Sequence, residues 1–142
     1  MGIPMRQAQQ GVTLIELMAV MLIIGLLAAI AYPSYRQQVI RSNRTEAKAS
    51  LMQAAQGLEK CFTRFGSYND AGCAITARLV SPEGIASGEG LYRVWGQIDA
   101  AAFTLRAVPQ QGQTSDVACG TLTLTQSGLR GVQGTSDAQT CW

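Results

Sequence analysis

The stretch Gly11–Pro33, GVTLIELMAVMLIIGLLAAIAYP, decides how the rest of the chain must be arranged. Between Val12 and Tyr32 only Thr13 and Glu16 are polar. As an α-helix rising about 1.5 Å per residue, this run spans roughly 31 Å, which is the thickness of a bilayer's hydrocarbon core. The run therefore predicts a membrane-spanning helix that contains one carboxylate.

Glu16 is the unusual residue of this run, because a carboxylate inside a membrane is costly. The cost is on the order of 2.5–3.5 kcal/mol at the centre of a membrane helix and less near an end, so a partner is expected. Cleavage between Gly11 and Val12 would create one, since Val12 would then carry a free α-amino group. We predict that this amine of a neighbouring subunit pairs with Glu16 during subunit assembly.

The spacing of Gly11, Glu16 and Pro33 resembles the signature of type IV prepilins. That signature has a short polar leader ending in Gly, a Glu five residues past the cut and a Pro twenty-two past it. The resemblance implies that a prepilin peptidase removes leader 1–11 and that the new N-terminus at Val12 is methylated. It also implies that Thr13, Glu16 and Pro33 act in subunit assembly. The chain departs from the pattern at Val12, where most pilins have Phe.

Two other interpretations of the N-terminus stay open. A secretory signal would have an A-x-A site, which Ala29-Ile30-Ala31 supplies, and would leave Tyr32 as the new N-terminus. A simple uncleaved anchor is the second. Glu16 and a helical pattern that continues past Pro33 count against the secretory signal.

The apolar helix is expected to continue as an amphipathic one to Phe65, with Pro33 kinking it. We predict a transmembrane and assembly half at residues 12–38 and a globular domain at residues 39–142. The predicted apolar face of the second half consists of Ala47, Leu51, Ala54, Ala55, Leu58, Phe62 and Phe65.

Four cations follow the apolar run, Arg36, Arg41, Arg44 and Lys48, whereas only Arg6 precedes it. Counting Lys and Arg alone would place the C-terminal side in the cytoplasm. The cationic cluster within Arg41–Lys48 is interpreted as a solvated face, with a subunit interface or contact with anionic lipid heads as the alternatives.

The region after Gly66, which is expected to end the helix, is typical of a small sheet. Residues 66–90 read as a long loop with one short element at most. Leu91–Ile98, Ala102–Pro109, Thr121–Gln126 and Leu129–Val132 read as strands. The predicted fold class is α+β, a long helix packed on a three- or four-stranded antiparallel sheet, and this arrangement resembles the type IV pilin fold.

Four cysteines occur, and their even number favours disulfides in an oxidising compartment. This is why we place the C-terminal domain in the periplasm. Three pairings are possible, and we favour Cys61–Cys73 with Cys119–Cys141, since each closes a short loop. Four buried free thiols are the alternative. No cofactor or metal site is expected, because histidine and C-x-x-C spacing are both absent.

The segment that starts at Cys119, CGTLTLTQSGLRG, and the closing Cys141-Trp142 narrow the resemblance to the PilE group of minor pilins in type IVa systems. This resemblance implies a non-enzymatic subunit that helps pilus assembly, with roles in motility, adhesion and surface attachment. Its expected partners are other pilin subunits, the prepilin peptidase, the inner membrane and the assembly machinery. Its expected locations are the inner membrane as precursor and an extracellular pilus afterwards.

Two alternative functions are a pseudopilin of type II secretion and a DNA-uptake pilin. Beyond residue 99 the only carboxylates are Asp116 and Asp137, too few for the calcium site of a major pseudopilin. The net charge of +2 predicts neither a nucleic-acid partner nor a basic stripe. No small-molecule substrate is expected either.

Overall fold

The computed structural model describes residues 11–142, and its longest element is the helix α1, Leu14–Phe65. The helix begins two residues later than the expected Val12, because the Thr13 hydroxyl caps its first turn. It ends where predicted, at Gly66, whose φ of +75° suits a residue without a side chain. Pro33 lies inside α1 and does not end it.

The chain divides into two compact units, one ending at Gln38 and the other spanning Val39–Trp142. In the first unit every described residue, 11–38, is exposed. Its part of α1 is long and apolar enough to cross a membrane. The second unit contains the sheet, the remaining helices and the core.

The sheet has five antiparallel strands in the order in which they occur along the chain. Four of them lie where strands were predicted, with ends trimmed by one or two residues, and the fifth was missed. The missed strand, β1, has only two residues, too few for an alternating pattern to be recognised. The strands are β1 Ile85–Ala86, β2 Tyr92–Ile98, β3 Phe103–Pro109, β4 Leu122–Thr125 and β5 Arg130–Val132.

The segment 66–90 is more regular than the predicted loop, because it contains β1 and the helix α2, Ala74–Val80. Leu79 of α2 is fully buried, which explains why this glycine-rich segment is ordered against the sheet. A 3-10 turn, Gln111–Ser115, and a final short helix α3, Ala138–Cys141, were also not predicted.

The core lies between one face of α1 and the inward side of the sheet. Residues at helical spacing on α1 meet strand residues at alternating positions, as the sequence predicted. The predicted helix face is wrong at its end, since Phe62 and Phe65 are each 38% exposed. Phe62 stacks on Tyr68 instead, with ring centroids 4.6 Å apart. The central core residues are Ala47, Leu51, Ala54, Leu58, Val94, Leu105, Ala107, Leu122 and Leu124.

Candidate assembly site

Thr13 and Glu16, two of the residues that the sequence assigned to assembly, meet at the first turn of α1, whereas Pro33 lies further along the same helix. The Thr13 hydroxyl accepts a hydrogen bond from the Glu16 amide at 3.3 Å. The T-x-x-E spacing of a helix-capping box predicts this bond, a signal that the sequence analysis did not use. Thr13 therefore fixes where the helix begins, directly after Gly11 and Val12, which are exposed and not helical.

The Glu16 side chain is exposed, and no ion pair involves it within residues 11–142. Around it, the apolar side chains of the first unit are also exposed, for example Leu14 at 78% and Ile15 at 77%. A carboxylate surrounded by unpacked aliphatic side chains is suited to bind a cation brought by another molecule. The leader, residues 1–10, lies outside the described residues.

Two disulfides frame the second unit. Cys61, near the end of α1, is bonded to Cys73, which directly precedes α2. Cys119 is bonded to Cys141, at the end of α3. This is the pairing favoured above among the three possible ones. The first bridge ties the segment after α1 back to the helix, and the second ties the C-terminal residues to the start of β4.

A buried ion pair anchors the loop before β4 to α1. Arg44 donates to both carboxylate oxygens of Asp116, at 2.7 and 2.8 Å, and the Asp116 side chain is only 1% exposed. The hydrogen bond with Asp116 raises the pKa of Arg44 above its usual value. The interpretation of the cationic cluster as a solvated face is therefore wrong for Arg44. The sequence shows no sign of the pairing, because 72 residues separate the two partners.

Gln113 forms a second buried polar cluster near the Arg44–Asp116 pair. Its amide nitrogen donates to the Ile40 carbonyl and to the Tyr92 hydroxyl, and its oxygen accepts from Asn43. The glutamine is 1% exposed and every one of its polar atoms is bonded, as a buried amide requires. Burial raises the pKa of Tyr92 to about 12, although the bond with Gln113 acts in the opposite direction.

Lys48 is the second member of the cationic cluster that is not simply solvated. Its ammonium donates to the main-chain oxygen of Trp142 at 2.8 Å. Burial, then the nearby charges of Arg44 and Arg130, lower the pKa of Lys48. Arg130 also lies over the Trp142 ring, 5.2 Å from its centroid. Arg41 is exposed, so it still fits the original interpretation.

No metal-binding group of three or more His, Cys, Asp or Glu side chains exists within residues 11–142. Asp116 is occupied by Arg44, and Asp137 caps α3 by accepting from the Thr140 amide at 2.7 Å. The bond with Thr140 lowers the pKa of Asp137. Both carboxylates thus have structural roles.

Two family models match the chain, and together they cover most of it. The model of the prokaryotic N-terminal methylation motif matches residues 6–32. The model described as type IV minor pilin ComP, DNA uptake sequence receptor, matches residues 33–123, well over half of the chain.

Curated relatives are similar over limited parts of their length. The fimbrial protein EcpC of Eikenella corrodens is 58% identical over 43 residues, which are 30% of this chain and 28% of EcpC. A type IV major fimbrial protein FimA of Dichelobacter nodosus is 36% identical over 101 residues, 68% of this chain and 59% of FimA. The chain thus spans less than two thirds of either relative.

One solved structure supports the fold independently of sequence. The non-core minor pilin PilV of Neisseria meningitidis superposes with a TM-score of 0.51 at 18% identity. The superposition covers 68% of this chain and 89% of the PilV chain. At this identity the likeness concerns the fold alone.

Proposed function

The chain belongs to the type IV pilin family, and on that premise we propose that it is a minor pilin that takes part in pilus assembly. In this proposal the precursor lies in the inner membrane with residues 39–142 in the periplasm. Prepilin peptidase cuts between Gly11 and Val12, and the new N-terminus is methylated. The mature subunit then leaves the bilayer and enters an extracellular pilus with other pilin subunits.

The observation that carries the proposal is the contrast in burial along α1. From Leu14 to Gln38 the helix buries nothing, whereas its later turns form the core of a closed domain. A helix that is apolar all round needs lipid or other apolar helices around it. Exchange of lipid for neighbouring subunits satisfies this need, and the pairing of Glu16 with the Val12 amine of a neighbour would make the exchange specific.

Two observations support the proposal that the chain is a minor pilin. The family model that matches residues 33–123 is described as a minor pilin. The segment after Cys119 and the closing Cys141-Trp142 resemble minor pilins of the PilE group. A minor pilin is expected in sheared fibres at a small fraction of the major subunit, which quantitative mass spectrometry of fibres measures directly.

Glu16→Ala tests the assembly role. We expect the variant to be inserted, cleaved and folded as the wild type is, yet to be depleted in sheared fibres by about tenfold or more, because a missing charge pair in a low-dielectric bundle costs more than about 1.4 kcal/mol. Immunoblots of membranes and fibres from the same cells give the ratio. Glu83→Ala, which removes an exposed carboxylate from the second unit, is the matched control.

Wild-type levels of Glu16→Ala in fibres would refute the pairing with the Val12 amine. Loss of the variant before cleavage would instead show that Glu16 serves recognition or folding. Gly11→Phe separates processing from assembly, since a bulky side chain at the cut is expected to leave uncleaved precursor in the membrane. N-terminal sequencing of fibre protein should then begin at Val12 for the wild type only.

A DNA-uptake pilin is the second candidate, and the match to the ComP model favours it. The chain carries few cations for this role, with a net charge of +2. If the chain is a DNA-uptake pilin, the purified chain binds duplex DNA with an affinity that falls steeply as the salt concentration rises, as phosphate contacts require. Deletion of the gene would then lower natural transformation while leaving surface fibres in place, the reverse of what a general assembly role predicts.

A further inference from the structure

The side of the sheet that faces away from α1 carries two arginines, a tryptophan and several hydroxyl and amide side chains. Its residues alternate along each strand with the buried ones, so they point to solvent. No carboxylate occupies an outward position on these strands. We call this surface the outer sheet face and define it by Arg93, Trp95 and Gln97 of β2, Thr104 and Arg106 of β3, and Thr123 of β4.

Two of these side chains are held in place by the turn before β1. The indole N–H of Trp95 lies 3.4 Å from the Pro82 carbonyl, and Arg93 donates to the Glu83 carbonyl at 2.6 Å. Gly84 lies against the indole so closely that a Cβ there would be 2.8 Å from the indole nitrogen. The half-buried tryptophan is therefore a restrained platform, so ordering it on binding costs less entropy than ordering a fully exposed side chain.

Arg106 lies beside the Trp95 platform on the neighbouring strand. It lies directly opposite Trp95 on one side and opposite Thr123 on the other. Its side chain is exposed, and it forms no salt bridge in the part of the chain that the structure describes. Gln97 lies opposite Thr104, so amide and hydroxyl groups border the same platform.

We propose that the outer sheet face binds a carboxylated sugar ring within a polysaccharide of uronic acids. A ring with one apolar C–H face can lie against Trp95, as ligands commonly rest on aromatic side chains. The Arg106 guanidinium matches a carboxylate in a two-bond geometry, with Arg93 as a second cation nearby. Gln97 and Thr123 supply donors and acceptors for the sugar hydroxyls.

The charge of this face favours an acidic sugar over nucleic acid. Two arginines neutralise about two phosphates, whereas strongly salt-dependent DNA binding involves about 6–10 contacts. A polyuronate carries one carboxylate on each ring. One ring on Trp95 and a neighbouring ring would therefore match the two charges of Arg106 and Arg93. Glu83, exposed on the turn beside Arg93, opposes a polyanion, and its neutralisation should therefore strengthen binding.

Binding of oligogalacturonate to the purified full-length chain in detergent tests the proposal without requiring assembled pili. At low salt we expect Trp95→Ala and Arg106→Gln each to weaken binding about tenfold or more, because the first removes the surface on which the ring lies and the second removes the charged donor to the carboxylate. Arg78→Gln is the matched control, since it removes an equally exposed charge from α2, and a change below about twofold is expected. Glu83→Gln should strengthen binding.

Three further ligands establish what is recognised. Neutral dextran should bind much more weakly, which would show that the carboxylate is needed. Polyglutamate of equal charge should also bind weakly, which would show that the ring is needed. Equal loss in Arg106→Gln and Arg78→Gln, equal binding of polyglutamate, or no binding of oligogalacturonate would each overturn the proposal. Tighter, salt-dependent binding of DNA at the same residues would overturn it in favour of a nucleic-acid surface.

A folding control keeps the result interpretable. Trp95 is half-buried, so Trp95→Ala is compared with Trp95→Phe, which keeps an aromatic ring. The thermal unfolding of each variant is measured in the same detergent. Arg106→Gln alters only an exposed side chain, so its outcome decides the proposal even where the tryptophan variants unfold.

Discussion

The two units of this chain use the same helix in opposite ways. Up to Gln38, every residue of α1 is exposed. From Ala47 to Leu58, the same helix buries one residue in each turn against a sheet. The first part therefore depends on other molecules for its stability, whereas the second is stabilised from within.

Because of this difference, mutations in the two units should change different measurable quantities. Changes in Val39–Trp142 should alter the free energy of unfolding of that unit, and changes near Glu16 should alter assembly but not that free energy. Urea titration of the full-length chain in detergent measures the free energy of unfolding of the second unit.

Asp116→Ala should have the largest effect, because it leaves the buried Arg44 charge without a partner. Breaking one side of a buried pair typically costs about 3–5 kcal/mol. The double variant Arg44→Ala with Asp116→Ala should cost less than the sum of the single changes, since no lone charge is left. Asp99→Ala, at an exposed carboxylate, is the control. If Asp116→Ala loses no more stability than Asp99→Ala, the pair does not anchor the loop.

Loss of the disulfide between Cys119 and Cys141 should have the next largest effect on the free energy of unfolding. Its partners are 22 residues apart, and removal of a native disulfide from a small secreted domain typically costs about 2–5 kcal/mol. The double variant Cys119→Ser with Cys141→Ser avoids an unpaired thiol and isolates the effect. Peptide mapping of unreduced wild-type protein must yield the 61–73 and 119–141 peptides, and any crossed pair would contradict the structure.

Alkaline pH should destabilise the second unit through Tyr92, whose pKa is raised by burial to about 12. Its contribution is fully present below the ordinary tyrosine pKa near 10 and is lost as the pH rises toward 12. The difference corresponds to roughly 2–3 kcal/mol. Tyr92→Phe should flatten stability measured between about pH 10 and 12, whereas Tyr35→Phe, in the exposed helix, should not. Equal slopes for the wild type and Tyr92→Phe would exclude Tyr92 as the cause.

Glu16→Ala should have the smallest effect on unfolding, within about 0.5 kcal/mol of the wild type. The hydrophobic core of the second unit begins at Ala47, and the polar contacts with the core begin at Ile40, far along α1 from Glu16. The same variant is expected to be depleted in fibres, so one substitution tests both halves of the comparison. A loss of more than 1 kcal/mol in stability would mean that the two units are energetically coupled.

Most of the secondary structure and the cysteine pairing could be predicted from the sequence, because both depend on local patterns. The apolar run, the Gly11–Glu16 spacing and the alternation in Thr121–Gln126 each report on neighbouring residues, and the structure has a helix or a strand in the corresponding places. Even the helix start at Leu14 was encoded in the T-x-x-E spacing. The favoured cysteine pairing followed from loop lengths, which are also read along the chain.

Only the tertiary structure decided the long-range polar contacts. The sequence predicts Arg44 to be a solvated cation and gives no role to Gln113, whereas the fold places Asp116 beside the first and Tyr92 beside the second. Their partners lie 21 to 72 residues away, so no local periodicity reports them. A charge can be buried only where a distant partner offsets its desolvation, and the fold alone determines which distant residues meet.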